Sequence, residues 1–257
     1  MTLIAIDIGN TNIVWGVHDG AQWTHTWRVQ TVRDRMPDEY AVMFRNFLRE
    51  ADLNMENFDQ AVISSVVPSL TRGLGHMLEQ RTGFEPVIVR HNANLGITIN
   101  VDYPERVGAD RIADAVAAYE RVQDNCIVVD FGTATSFTIV RAPGEMIGAI
   151  IAAGLITTAD AFVGRTAQLP QVELMPPPSV IGRNTVHAMQ AGLVVGHLAM
   201  VEGLVARIHA EMGPATVIAT GGLSRVLAPH TDCFDHVDPW LTLDGLRLIA
   251  ERNPRSG

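Results

Sequence analysis

The chain has 257 residues, 47% of them hydrophobic and only 18% charged, enough for a sizeable core in one large domain or two smaller ones, and too apolar for a disordered chain. A net charge of −9 argues against non-specific nucleic-acid binding, although amides and a metal can still meet an anionic nucleotide locally. The two cysteines, Cys126 and Cys233, lack metal-ligand spacing and fit a reducing compartment. The N-terminus begins on a strand pattern without a basic leader. A cytoplasmic protein with neither nucleic acid nor membrane as partner is therefore expected.

Strands are expected over 3–8, 12–18 and 23–31. Pro37 and Asp38 start a helix whose apolar face carries Tyr40, Phe44, Phe47 and Leu48. Residues 60–67 read as a buried strand, and Pro68-Ser69 opens a helix that Gly83 stops. A further strand follows at 86–90. The stripe Ile112, Ala115, Val116, Tyr119 marks a helix with Asp110 at its start. Strands at 126–130, 135–141 and 146–151 then precede a helix near 157–167. Pro176-Pro177-Pro178 suits an extended loop. A long helix follows over 184–211, and its Gly192, Gly196 and Gly203 suggest close approach of another backbone, within the chain or across a subunit interface. Its apolar run Ala191–Val201 is too short to span a bilayer and reads as a buried helix. Strand 215–220 leads into Gly221-Gly222, and 243–251 forms a short amphipathic tail helix.

One motif occurs twice. Asp7-Ile8-Gly9-Asn10-Thr11-Asn12 and Asp130-Phe131-Gly132-Thr133-Ala134-Thr135 each join two strand-like runs through a tight turn. Glycine lets backbone N–H groups approach a phosphate, and Asn and Thr add donors. A carboxylate repels phosphate, so its partner is a bridging cation. Two copies in matching contexts point to a duplicated fold with a nucleotide's phosphates held between the halves, 1–112 and 113–257. Asp110 admits two readings: an N-terminal cap of its helix, or a general base with Arg111 beside it for an anionic substrate. Arg111 could instead pair with Asp114. His187, His197 and His209 show no metal-partner pattern and are expected at a surface or interface.

The motifs Asp7-Ile-Gly-Asn-Thr, Ile63-Ser-Ser-Val-Val-Pro68, Gly108-Ala-Asp-Arg111, Asp130-Phe-Gly-Thr-Ala134 and Thr220-Gly-Gly222 appear in order. Together they resemble type III pantothenate kinases of the actin, sugar-kinase and heat-shock-chaperone ATPase superfamily. The likeness extends to Trp27–Thr31, Arg165–Pro170 and Gly182-Arg-Asn-Thr185, nearly the whole chain. It implies a duplicated actin-like (ribonuclease H-like) α/β fold with two mixed sheets flanked by helices. It also implies ATP-dependent phosphorylation of pantothenate to 4′-phosphopantothenate, the first step toward coenzyme A. By the resemblance Asp110 is the general base, and Gly108, Ala109, Asp110, Arg111 and Thr185 bind pantothenate. Asp7, Ile8, Gly9, Asn10, Thr11, Asn12, Ile13, Val14 and Thr133 bind ATP. Asp130 holds a monovalent cation, K⁺ or NH₄⁺, and Asp7 is a candidate for Mg²⁺ through water. The family forms homodimers with sites near the interface.

The chain departs from the family's usual pattern at Gly148-Ala149-Ile-Ile-Ala152-Ala153-Gly154, where a second glycine and a proline are common, and at Asp102-Tyr103-Pro104. The alternative these departures keep open is a non-catalytic regulatory or accessory relative.

Overall fold

The unbroken apolar run Leu3–Ile6, with Ile8 beyond Asp7, supplies both faces of a central strand, and the chain builds outward from it. The structure, a computed structural model, describes residues 2–164 and 170–255. Its elements in chain order are β1 (Leu3–Ile8), β2 (Asn12–His18), β3 (Trp23–Gln30), α1 (Pro37–Glu50), β4 (Gln60–Ser65), α2 (Pro68–Thr82), β5 (Val87–Ile88), β6 (Thr98–Ile99) and α3 (Ala109–Val122). Then come β7 (Cys126–Phe131), β8 (Ala134–Arg141), β9 (Glu145–Ala153), α4 (Leu155–Gly164), α5 (Thr185–Gln190), α6 (Gly196–Met212), β10 (Thr216–Thr220), α7 (Ser224–Leu227), β11 (His236–Val237) and α8 (Leu241–Arg252). A π-helical turn, Ala191–Val195, joins α5 to α6.

Contacts divide the chain into two compact units: residues up to Ala117 together with those from Leu241 onward, and Ala118–Trp240. The tail helix thus falls in the first unit, where 1–112 and 113–257 were the expected halves. The reason is packing: Leu243, Leu246, Ile249 and Ala250 of α8 are buried against Leu3, Ala5 and Val62.

The first unit's sheet runs β3-β2-β1-β4-β5, with β1 antiparallel to β2 and parallel to β4. One face, carrying Ile4, Ile6, Ile8, Ile13 and Trp15, is covered by Tyr40, Phe44 and Leu48 of α1 and Leu70, Leu74 and Leu78 of α2. Trp15 stacks on Phe44 with ring centroids 4.2 Å apart. The opposite face, Leu3, Ala5 and Val62, packs on α8 and on Ala109, Ile112, Ala113 and Val116 of α3. α2 stops at Gly83, whose φ of 78° is the left-handed cap that glycine adopts without strain.

The second unit repeats the plan. Its strands run β9-β8-β7-β10-β11, with β7 antiparallel to β8 and parallel to β10. Phe131, Phe137, Ile139 and Val217 pack on Leu193, Val194, Leu198 and Val201 from the long helix. That helix, Thr185–Met212, matches the long helix expected over 184–211; by length and composition it is long enough to cross a membrane, where only the shorter apolar run Ala191–Val201 was expected. Its buried side chains belong to this core. The sequence-predicted helix near 157–167 begins earlier, at Leu155. Arg165–Leu169 of the motif Arg165–Pro170 lie outside the described residues.

Candidate functional site

Asp7 is the fifth residue of β1 and Asp130 the fifth of β7, and the two strands share one burial pattern, four buried residues, one half-buried aspartate and one buried residue. Each aspartate is therefore the one half-buried position in an otherwise buried strand. In the first loop Gly9 N–H donates to the Asn12 carbonyl at 2.9 Å, closing the turn. Asn10, Thr11 and Asn12 are exposed, while Ile8 and Ile13 are fully buried. Of the expected nucleotide residues, those two can therefore offer only backbone. Thr31 latches the loop from below: its hydroxyl donates to the Gly9 carbonyl at 2.7 Å and its N–H to the Thr11 carbonyl at 2.8 Å. Arg33 adds a cation, donating to Asn10 Oδ1 at 2.9 Å. Sequence reading missed both residues. Thr31 closes the quoted stretch Trp27–Thr31, but no motif spacing marks it as a latch.

The second loop is held in the same way. Gly132 N–H donates to the Ala134 carbonyl at 3.0 Å. The Thr157 hydroxyl and Gly154 N–H both donate to the Thr133 carbonyl, at 2.7 and 3.2 Å. This leaves Thr133 exposed at the tip. Gly154 is a packing requirement: a Cβ there would meet the Thr133 carbonyl oxygen and lie 2.6 Å from that of Gly132. Gly221, at φ 88°, packs as closely beneath β7, where a Cβ would strike Asp130 Oδ1 and approach Phe131 N at 2.6 Å.

Directly paired residues of neighbouring strands project to one face. Asp7 pairs with Ser64 of β4, and Asp130 with Thr220 of β10 and Ser136 of β8. The Ser64 and Thr220 hydroxyls are buried with no hydrogen-bond partner among the described residues. An oxygen-only set of one carboxylate and two hydroxyls suits a hard cation around Asp130. No cluster of three or more His, Cys, Asp or Glu side chains suited to a metal occurs among the described residues.

Asp110 lies in the first turn of α3, half-buried, and its Oδ1 accepts from Arg111 N–H at 2.8 Å. Gly108 makes room for this: a Cβ there would strike Asp110 Oδ1 and lie 3.1 Å from an Arg111 guanidinium nitrogen. The Gly-Ala-Asp-Arg order thus sets the carboxylate and guanidinium side by side over a bare backbone. Ala109 is core, so only its backbone is available. Asp114, one turn on, is buried and accepts from the Thr242 hydroxyl at 2.7 Å.

Thr185 is the exposed first residue of α5, which is capped by Asn184: its Oδ1 accepts from His187 N–H at 2.8 Å. Gly182 lets the preceding chain fold onto that turn, since a Cβ would run into Ala188 N. His197, expected at a surface or interface, is instead buried, because the helix face it shares with Val194 and Leu198 seals the second core. Burial pushes the Cys126 and Cys233 thiols up to about 12 and about 11, so neither is a thiolate nucleophile at neutral pH.

Two repeated strand–turn–strand units of one topology, each with an aspartate at the strand end, define a duplicated actin-like α/β fold. Among solved structures, an ethanolamine utilization protein, EutJ, from Carboxydothermus hydrogenoformans superposes with a TM-score of 0.56 over 97% of this chain and 90% of that one, at 15% identity, a likeness of fold. The sequence profile of the type III pantothenate kinases matches residues 3–207. Type III pantothenate kinases of Moorella thermoacetica and Roseiflexus sp. are 44% and 46% identical over 98% of this chain and 99% of their own lengths. The chain belongs to the type III pantothenate kinase family.

Proposed function

We propose that the chain transfers the γ-phosphoryl group of ATP to the hydroxyl of pantothenate, yielding 4′-phosphopantothenate on the route to coenzyme A. The observation that carries this reading is Asp110, an acidic side chain held beside Arg111 in the first turn of α3 over the bare backbone of Gly108. In this reading Asp110 accepts the proton of the attacking hydroxyl, and Arg111 pairs with the pantothenate carboxylate. Gly108 and Ala109 contribute backbone, and Thr185 a hydroxyl, to the same substrate. The first loop, Asp7 to Val14, and Thr133 of the second orient the phosphates through N–H groups, amides and hydroxyls. Mg²⁺, when bound, neutralises phosphate charge, and Asp7 would hold it through water. Catalysis is then chiefly positioning and electrostatics.

The non-catalytic alternative drew on the altered stretch 148–154. Ala149 and Ala153 are both exposed on β9, and Gly154, which touches the second loop, is retained. This favours catalysis. An ATP-consumption assay with pantothenate tests the choice.

Asp130, flanked by the Ser136 and Thr220 hydroxyls, would hold K⁺ or NH₄⁺. Activity should rise with either cation, and Asp130→Ala should flatten that response. Full wild-type activity in a buffer stripped of monovalent cations other than a bulky organic one would contradict the assignment.

The same reading makes the protein a cytoplasmic homodimer. Gly192, Gly196, Ala199 and Gly203 form an exposed small-residue stripe on the long helix, and a Cβ at Gly192 or Gly203 would meet nothing within 4 Å among the described residues. That leaves the stripe for a second copy. The expected solution mass is twice 27.9 kDa. Mixed Asp110→Asn and Thr185→Ala protomers should recover part of the activity if one site draws on both chains. A fully active monomer would refute the arrangement.

A further inference from the structure

We propose that His197 is a positioning residue for the second phosphate loop, an inference that rests on the reading of that loop as an ATP site. Phe131 and Thr135 are the closing pair of the β7–β8 hairpin, and everything between them is the loop. His197 engages both. A ring nitrogen, Nε2, is 2.9 Å from the Thr135 hydroxyl oxygen in a buried contact, and the imidazole lies against the Phe131 ring with centroids 6.2 Å apart. The alternation of β8 explains the aim: Thr135, Phe137 and Ile139 share the face that packs on the long helix.

The helix is shaped for the contact. The π-helical turn Ala191–Val195 ends two residues before His197. Such a turn inserts an extra residue and rotates the residues after it about the helix axis. Burial holds the imidazole below its ordinary range, so at neutral pH it is uncharged, with one ring nitrogen donating and one accepting. A neutral ring exchanging a hydrogen bond with a hydroxyl fixes the Thr135 rotamer and with it the hairpin end. Thr157 and Gly154 hold the loop tip through the Thr133 carbonyl, and His197 holds its base. The presentation of the Thr133 hydroxyl to a phosphate then depends on a residue that the hydroxyl does not touch.

The test compares His197→Leu, His197→Gln, Thr135→Val and the double variant His197→Leu/Thr135→Val. Binding of a non-hydrolysable ATP analogue is measured by calorimetry, and KM for ATP and for pantothenate by steady-state kinetics. His197→Leu should weaken analogue binding and raise the KM for ATP by about five- to tenfold, the scale of one buried hydrogen bond. The KM for pantothenate should not change. His197→Gln, whose amide can still reach a hydroxyl, should recover most of the loss. The double variant should be no worse than the weaker-binding single, because both remove one interaction. Losses that multiply in the double variant, or equal rises in both KM values, would overturn the proposal. So would analogue affinity unchanged in His197→Leu. Should His197→Leu fail to fold, Thr135→Ser against Thr135→Val makes the same comparison from the other side. Wild-type protein that does not bind the analogue would overturn the ATP reading itself, a result distinct from wild-type binding that His197→Leu leaves intact.

Discussion

Asp110→Asn should lower kcat by a factor of about 10²–10⁴, the range that a positioned general base contributes, while the protein stays folded. The substitution separates the two roles this residue can play. Asp110 sits in the first turn of α3 and accepts the Arg111 N–H, a contact that an asparagine oxygen can also make, and asparagine caps as well as aspartate. Helix α3 should therefore persist, anchored by Ile112, Ala113 and Val116 in the core. The amide cannot take a proton at neutral pH. A circular-dichroism melt within a few degrees of wild type together with the kinetic loss supports the base. A folded variant with near-normal kcat would reduce Asp110 to a cap.

Gly154→Ala should lower kcat/KM for ATP by about 10²-fold, the cost of displacing a positioned group by about an ångström. Gly154 is not among the glycines with positive φ, so alanine imposes no backbone strain of its own. The new methyl would instead collide with the Thr133 and Gly132 carbonyls, backbone atoms that can yield only by moving the loop. Gly148→Ala is the internal control. It lies on β9, the strand that leads into Gly154; a Cβ there meets nothing within 4 Å among the described residues, and its kinetics should match wild type. Equal effects from the two substitutions would show that the loss is general destabilisation of β9 and not displacement of the loop.

The duplication could be read from residues alone because it is carried by local signals. An aspartate and a glycine after four apolar residues mark both loops, and the expected strand 3–8 and helix starts at Pro37 and Pro68 coincide with β1, α1 and α2. Elements set by tertiary contact were less legible. Residues 86–90 pair only at Val87 and Ile88, because the edge of the sheet offers β4 as a neighbour on one side. Residues 60–67 give up Val66 and Val67, which turn away to start α2. At the site, Asp7, Asp130 and Asp110 stood out by motif. The groups that hold them did not. Thr31, Thr157, Gly154 and Gly221 act through a few close contacts with loops distant in sequence, and no periodicity encodes such pairs. His197 was placed at a surface because helical spacing alone does not say which stripe of an apolar helix faces a sheet.

The most direct measurement is ATP consumption by purified protein with and without pantothenate, in K⁺ buffer, with the acceptor product identified by mass. Pantothenate-dependent ADP formation with stoichiometric 4′-phosphopantothenate, slowed by a factor of about 10²–10⁴ in Asp110→Asn, is the expected result. Nucleotide binding without any pantothenate-dependent turnover, in K⁺ and in NH₄⁺ alike, would contradict the kinase reading and leave the regulatory relative in its place.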